Sequence, residues 1–99
     1  MAVIQIVGNQ SGSGRTSVAS ALLVTAQAAG KKAAYYKPTS PQAEADPDVA
    51  YVSQLITGGP AVPAPQTSPS EAQVQEAVAA LEPQADVVIV EGPDSASPL

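Results

Sequence analysis

Residues 4–23 read IQIVGNQSGSGRTSVASALL, and this stretch is the most informative about the fold. Its β-branched apolar start predicts a buried strand over Ala2–Val7. The glycines and serines of Gly8–Gly14 exclude regular structure there, and the apolar spacing over Thr16–Ala29 predicts a helix. A glycine-rich turn between a strand and a helix is the arrangement in which backbone N–H groups and a helix dipole bind phosphate.

A second strand and a second helix follow. Gly30 suits the left-handed position after the first helix. We expect a short strand at Ala33–Tyr36, with its two tyrosines divided between core and surface. A second helix should start with Asp46 as N-cap and Pro47 in the first helical position, and end at Gly58. The proline-rich stretch after it should run extended over the surface.

The last third of the chain predicts a helix and a strand. Ser68 and Glu71 have capping-box spacing, with Pro69 between them in the first helical position. The apolar stripe of this helix is Val74, Ala77, Val78 and Leu81. The continuous apolar run Ala85–Gly92 is typical of a parallel strand covered on both faces. The order β-α-β-α-α-β predicts one three-layer α/β domain over residues 1–99, with about three strands and three helices.

Composition excludes several classes of function. The chain has 99 residues and a net charge of −5, which disfavours nucleic acid or an anionic membrane as partner. It has no Cys and no His, so a thiolate metal site and a histidine base are excluded. Residues 1–14 contain no positively charged side chain and already predict a strand and a loop, which argues against a signal peptide and favours the cytoplasm.

Polar residues follow each predicted strand. The glycine-rich loop follows the first strand, Lys37 the second, and Glu91 ends the third. Because ligands bind beyond the carboxyl ends of parallel strands, these residues should meet at one edge of the sheet. Thr16 and Glu91 are the candidate ligands of Mg²⁺, and Lys37 could steady phosphate charge.

The loop departs from the usual P-loop pattern. Its glycine spacing is one residue longer, and Arg15 stands where such loops carry lysine. Arginine pairs with phosphate but is bulkier than an ammonium group. The alternative is a glycine-rich turn without a ligand. The candidate phosphate-binding residues are Gly8, Ser11, Gly12, Ser13, Gly14, Arg15, Thr16 and Ser17.

Each of the other candidate residues also has a purely structural interpretation. Glu91 could be a solvated strand end, and Lys37 a surface lysine. Asp46 and Asp48 have the spacing of a metal pair, but the helix start favours an N-cap and a first-turn acid.

The motifs GNQSGSGRTSVASALL, YYKPTSP and VVIVEGP resemble dethiobiotin synthetase and its relatives. The relatives include the amino-terminal domain of long bacterial phosphotransacetylases and phosphotransacetylase-like proteins with a DRTGG domain. The resemblance covers most of the chain in order. It implies a P-loop-type fold, or the amino-terminal half of one, with the third strand between the second and the first.

The resemblance also implies a chemistry. Dethiobiotin synthetase closes a cyclic urea from a diamine and CO2 with ATP and Mg²⁺. The resemblance implies that Gly14, Arg15 and Thr16 contact phosphate and metal. It makes Lys37 the catalytic candidate, which would stabilise the carbamate and phosphoryl intermediate. Glu91 would help to bind Mg²⁺. The enzyme's loop lysine is replaced here, and Gln10 stands where the enzyme has an acid.

Three functions are therefore open. The first is a nucleotide- or phosphate-binding module that regulates or assembles a larger enzyme, as in the phosphotransacetylase domains, which also often lack the loop lysine. The second is an ATP-dependent C–N ligase of the dethiobiotin synthetase type. The third is a protein-interaction domain with an empty loop. Because three short strands leave open edges, we also expect a homo-oligomer or a larger enzyme partner.

Overall fold

The computed structural model describes the backbone of residues 2–6 and 13–92 and the side chains of residues 3–6 and 16–92. Three parallel strands form one sheet: β1 (Ala2–Ile6), β2 (Ala33–Tyr36) and β3 (Val87–Glu91). Their spatial order is β1-β3-β2, so the last strand in sequence lies in the centre. The expected small α/β fold with a parallel sheet is confirmed, and so is the position of the third strand.

Helices cover both faces of the sheet. They are α1 (Ser13–Ala28), α2 (Pro47–Ser53) and α3 (Glu71–Leu81), and a 3₁₀ turn (Glu82–Gln84) follows α3. On one face α1 and α2 bury a cluster of Ala19, Leu23, Ala33, Tyr35, Val52 and Ile89. On the other face α3 buries a cluster of Ala34, Tyr36, Val74, Val78, Leu81, Ala85, Val88 and Val90. Three layers result, and the predicted apolar stripe of α3 faces the core.

Both ends of α1 have a clear local cause. The helix begins at Ser13, so the prediction that Ser13 and Gly14 lie in the loop is wrong. The N–H groups of this first turn have no intrahelical acceptor and are therefore available to other acceptors. At the other end Gly30 has φ +81°, as expected. The N–H groups of Gly30 and Lys31 bond the carbonyls of Gln27 and Ala26 at 3.0 Å each, which is a Schellman motif.

The other two helices differ from their predicted bounds. Asp46 is the N-cap of α2, as expected, but the helix ends at Ser53 and Gly58 lies beyond it. The capping box of α3 is formed by Ser70 and Gln73, not by Ser68 and Glu71. The sequence holds the cap-x-x-acceptor spacing twice, two residues apart, and periodicity alone does not choose between the two.

The predicted exposure of one of the two tyrosines of β2 is wrong. Tyr35 and Tyr36 lie on opposite faces of β2, but both are buried because helices cover both faces. The proline-rich stretch contains no helix and lies mostly at the surface, as expected. Pro65 within it is buried, and Gln66 forms a parallel bridge with the segment after β2, donating to the Pro38 carbonyl and accepting from the Ser40 N–H.

Within residues 2–6 and 13–92, no helix is both long enough and apolar enough to span a bilayer.

Candidate functional site

The three strands end level with one another. Ile6 pairs with Glu91 in the β1–β3 register, and Tyr36 pairs with Val90 in the β2–β3 register. Directly after Glu91 the chain turns at Gly92, whose φ of +85° favours glycine. The Gly92 N–H donates to the Ile6 carbonyl at 2.7 Å. The last residue of β3 is thereby held beside the end of β1, where the glycine-rich loop begins.

Thr16 and Glu91, the two residues expected to bind Mg²⁺, are in direct contact. Thr16 lies in the first turns of α1, and its hydroxyl donates to Glu91 Oε2 at 3.1 Å. Glu91 is 3% exposed, so the interpretation as a solvated strand end is wrong. Since the Thr16 proton is directed at a carboxylate, the lone pairs of its oxygen remain able to accept or to ligate.

Tyr35 completes this contact, although sequence reasoning gave it no role at the site. Its phenol donates to the second oxygen, Glu91 Oε1, at 3.0 Å. Burial, and then the charge of Glu91, raise the pKa of Tyr35 well above its usual value. An ordinary phenol is already protonated at neutral pH, and this shift strengthens that preference, so Tyr35 stays a donor to the carboxylate. The only sequence signal was its position two residues before Lys37, on the strand that neighbours β3.

Lys37 has two acidic partners at the same end of the sheet. Its Nζ lies 2.9 Å from Asp46 Oδ2 and 2.9 Å from Asp48 Oδ2. Burial alone would lower the pKa of Lys37, but the bonds to Asp48 and Asp46 outweigh it and raise the pKa. The side chain is 16% exposed, so Lys37 is not an ordinary surface lysine. In this arrangement its charge is already neutralised by carboxylates, and a phosphate would have to compete for it.

Asp46 is the centre of this second group. Its Oδ1 accepts from the N–H groups of Asp48 and Val49 at 2.9 and 3.0 Å, which caps α2 as predicted. Its Oδ2 accepts from Lys37 and from the buried hydroxyl of Ser40. Burial opposes ionisation of Asp46, but the bonds from Ser40, from Lys37 and from the backbone prevail and lower its pKa. Ser40, in the segment that follows β2, is thus part of the group that holds Lys37.

The predicted phosphate-binding loop is described only at its end. Gly8, Ser11 and Gly12 lie outside the described residues. Ser13, Gly14 and Arg15 belong to the first turn of α1, and Ser17 is exposed one residue after Thr16. The backbone of the last loop residues therefore opens the helix that brings Thr16 to Glu91. A helix N-terminus in this position favours an anion.

The donor atoms at this edge suit Mg²⁺ carried by a phosphate ligand. Mg²⁺ prefers hard oxygen ligands and is usually held by one or two carboxylates together with substrate phosphates. Thr16 supplies a hydroxyl and Glu91 a carboxylate. In the described part of the chain, no three acidic side chains gather into a metal-ion cage. These two oxygen donors fit the chemistry of Mg²⁺, and a cation held by them would take its other ligands from water or phosphate oxygens.

A scan against protein-family models, a search of curated proteins and a search of solved structures each found no match for this chain. The resemblance to dethiobiotin synthetase stays a prediction from the motifs.

Proposed function

We propose that this chain is a P-loop-type nucleotide- or phosphate-binding module with a regulatory or assembly role. The contact between Thr16 and Glu91 is the observation that carries the proposal. It joins the first turns of a helix that follows a glycine-rich loop to the carboxyl end of the central strand. In P-loop proteins a hydroxyl and an acid in these places hold Mg²⁺, while loop N–H groups hold phosphate.

In this proposal the chain's own residues bind rather than react. The N-terminus of α1 and its preceding loop attract the phosphates, and Arg15 adds a permanent positive charge. Thr16 and Glu91 hold Mg²⁺, which neutralises phosphate charge when bound. The same proposal places the chain in the cytoplasm and leaves nucleic acid and membrane out as partners, in keeping with the charge of −5.

A ligase of the dethiobiotin synthetase type is the second candidate. Lys37, Thr16 and Glu91 at one edge of the sheet favour it. The ion pairs of Lys37 with Asp46 and Asp48 weigh against it, because a catalytic lysine must be free to reach the transferring group. Turnover of diaminopelargonate with ATP and bicarbonate tests this candidate directly.

Calorimetric titration with Mg²⁺-ATP, Mg²⁺-GTP and inorganic phosphate tests the binding proposal. We expect saturable binding of at least one ligand that Thr16→Ala weakens. Thr25→Ala is the matched control, because Thr25 is an exposed threonine on the same helix, away from Glu91. Equal affinity of both variants, or no heat with any ligand, would contradict the proposal and leave an interaction domain with an empty loop.

The assembly part of the proposal commits to a second copy of the chain as partner. Within the described ranges β1 is an edge strand, and Val3 and Ile4 on it are 40% and 36% exposed. The adjoining helix α1 has no charged residue over positions 16–30, and Val18 and Val24 on it are about half exposed. Unpaired strand edges pair with strands, and interface centres are depleted of charge.

The charge distribution allows a copy of the same chain to bind here. Two copies with a charge of −5 each repel one another least where they meet on a surface without charged residues, and β1 and positions 16–28 of α1 carry none. We therefore infer that β1 pairs with its counterpart about a two-fold axis. Light scattering that shows a stable monomer at all concentrations would contradict this.

A further inference from the structure

Tyr35 is a fully buried side chain with one polar atom. Its exposure is 1%, and its ring packs in the cluster between the sheet and α1. That position suits a phenylalanine equally well for packing. The hydroxyl donates to Glu91 Oε1 at 3.0 Å. Its place at the end of β2 therefore serves the carboxylate as well as the core.

The sheet register explains why this tyrosine reaches Glu91. Tyr35 pairs with Ile89 across the β2–β3 ladder. Glu91 lies two residues after Ile89, so its side chain is on the same face of the sheet as Tyr35. A tyrosine is long enough to bridge such a diagonal pair. Tyr36, the neighbouring tyrosine, points to the opposite face and belongs to the cluster under α3.

The two oxygens of Glu91 are held from two sides. Tyr35 donates to Oε1 and Thr16 donates to Oε2. A carboxylate with only one of these bonds could rotate about its terminal torsion, which is soft in glutamate. With both bonds the plane of the carboxylate is fixed, and its Oε2 stays beside Thr16.

We propose that Tyr35 is a positioning residue that orients the Glu91 carboxylate so that Oε2 and the Thr16 oxygen act together on a phosphate-bound cation. The role of the cation rests on the proposed function, whereas the orientation of Glu91 rests only on its two hydrogen bonds. Hydrogen bonds from outside the ligand set commonly tune metal affinity by about 10- to 100-fold.

The test compares Tyr35→Phe with Tyr36→Phe. Both changes remove one hydroxyl from a buried tyrosine of the same strand, and only the first removes a bond to Glu91. The first readout needs no ligand and is the NMR signal of the ¹³C-labelled glutamate carboxyl groups. The Glu91 signal is assigned as the one that is missing from Glu91→Gln protein. The second readout is the affinity for Mn²⁺ in the presence of ATP, followed by electron paramagnetic resonance.

We expect Tyr35→Phe to move the Glu91 carboxyl signal and to weaken Mn²⁺ binding about 10-fold or more, whereas Tyr36→Phe changes neither. An unmoved Glu91 signal in folded Tyr35→Phe protein would overturn the positioning role. If the wild-type protein binds Mn²⁺ with ATP, an equal Mn²⁺ affinity of Tyr35→Phe would overturn it as well. If the wild type binds no Mn²⁺ with ATP, the proposed function fails, and the cation role of Tyr35 fails with it. The carboxyl signal then decides by itself whether Tyr35 orients Glu91.

Discussion

Replacing Asp46 by Ala removes two kinds of contact at once. It uncaps α2, which costs about 1 kcal/mol. It also removes the carboxylate that accepts from Ser40 and Lys37, and bonds to a charged group contribute about 1.5–3 kcal/mol. The Asp46 side chain is 4% exposed, so water replaces these bonds poorly. We expect a loss of about 3 kcal/mol, which is a large part of the roughly 5–15 kcal/mol typical of a domain this size.

Asp48→Ala is the matched control for this change. Asp48 lies at the same 2.9 Å from the same lysine, but its side chain is 40% exposed and it caps nothing. An exposed ion pair contributes about 0–1 kcal/mol, so we expect the smaller loss here. Asp46→Asn separates the two contributions, because asparagine caps a helix about as well as aspartate does.

Urea unfolding followed by circular dichroism at pH 7 measures all three variants. A loss of about 3 kcal/mol lowers the midpoint by about 1–3 M. We expect the order Asp46→Ala, Asp46→Asn, Asp48→Ala from largest loss to smallest. Equal losses for Asp46→Ala and Asp48→Ala would contradict this expectation, because burial and capping of Asp46 would then contribute nothing.

Three more outcomes are expected. The pKa of Asp46 is lowered in the folded state, so its carboxylate stabilises the folded protein above the usual pKa of about 4. This stabilisation is lost as the pH falls through the folded-state pKa. The stability of Asp46→Asn should therefore fall less steeply than that of the wild type in acid unfolding curves. Ser70→Ala should cost about 1 kcal/mol in urea unfolding while Ser68→Ala costs almost nothing, and the reverse order would contradict the observed cap. Ile4→Lys should shift the proposed dimer to monomer in concentration-dependent light scattering without unfolding it, because it places a charge at the open edge of β1.

The fold was predictable where a local pattern decides it. Four apolar or aromatic residues before Pro38 defined β2 to the residue. Gly30 and the stripe of α3 were correct for the same reason, since a left-handed turn and a 3.6-residue period leave direct traces in sequence. The centre position of β3 came from the resemblance, because the strand pattern alone does not order a sheet.

The contacts of the site were not predictable in the same way. The partners of Lys37 are nine and eleven residues away, and their encounter depends on how the chain leaves β2 and enters α2. The bond between Tyr35 and Glu91 spans 56 residues and depends on strand register. Ser40 is buried where the segment after β2 bridges to Gln66, and no periodic pattern in the sequence indicates this bridge.

The most direct test of the Thr16–Glu91 site is paramagnetic line broadening of backbone amide signals by Mn²⁺-ATP. We expect the signals of Thr16, Glu91 and Gly92 to broaden first, because these residues surround the proposed ligand. Lys31 and Asp86 precede β2 and β3 and lie at the opposite end of the sheet, so they should stay sharp as internal controls. Broadening that begins at those residues, or that is uniform over the chain, would contradict a phosphate-bound cation at the carboxyl edge.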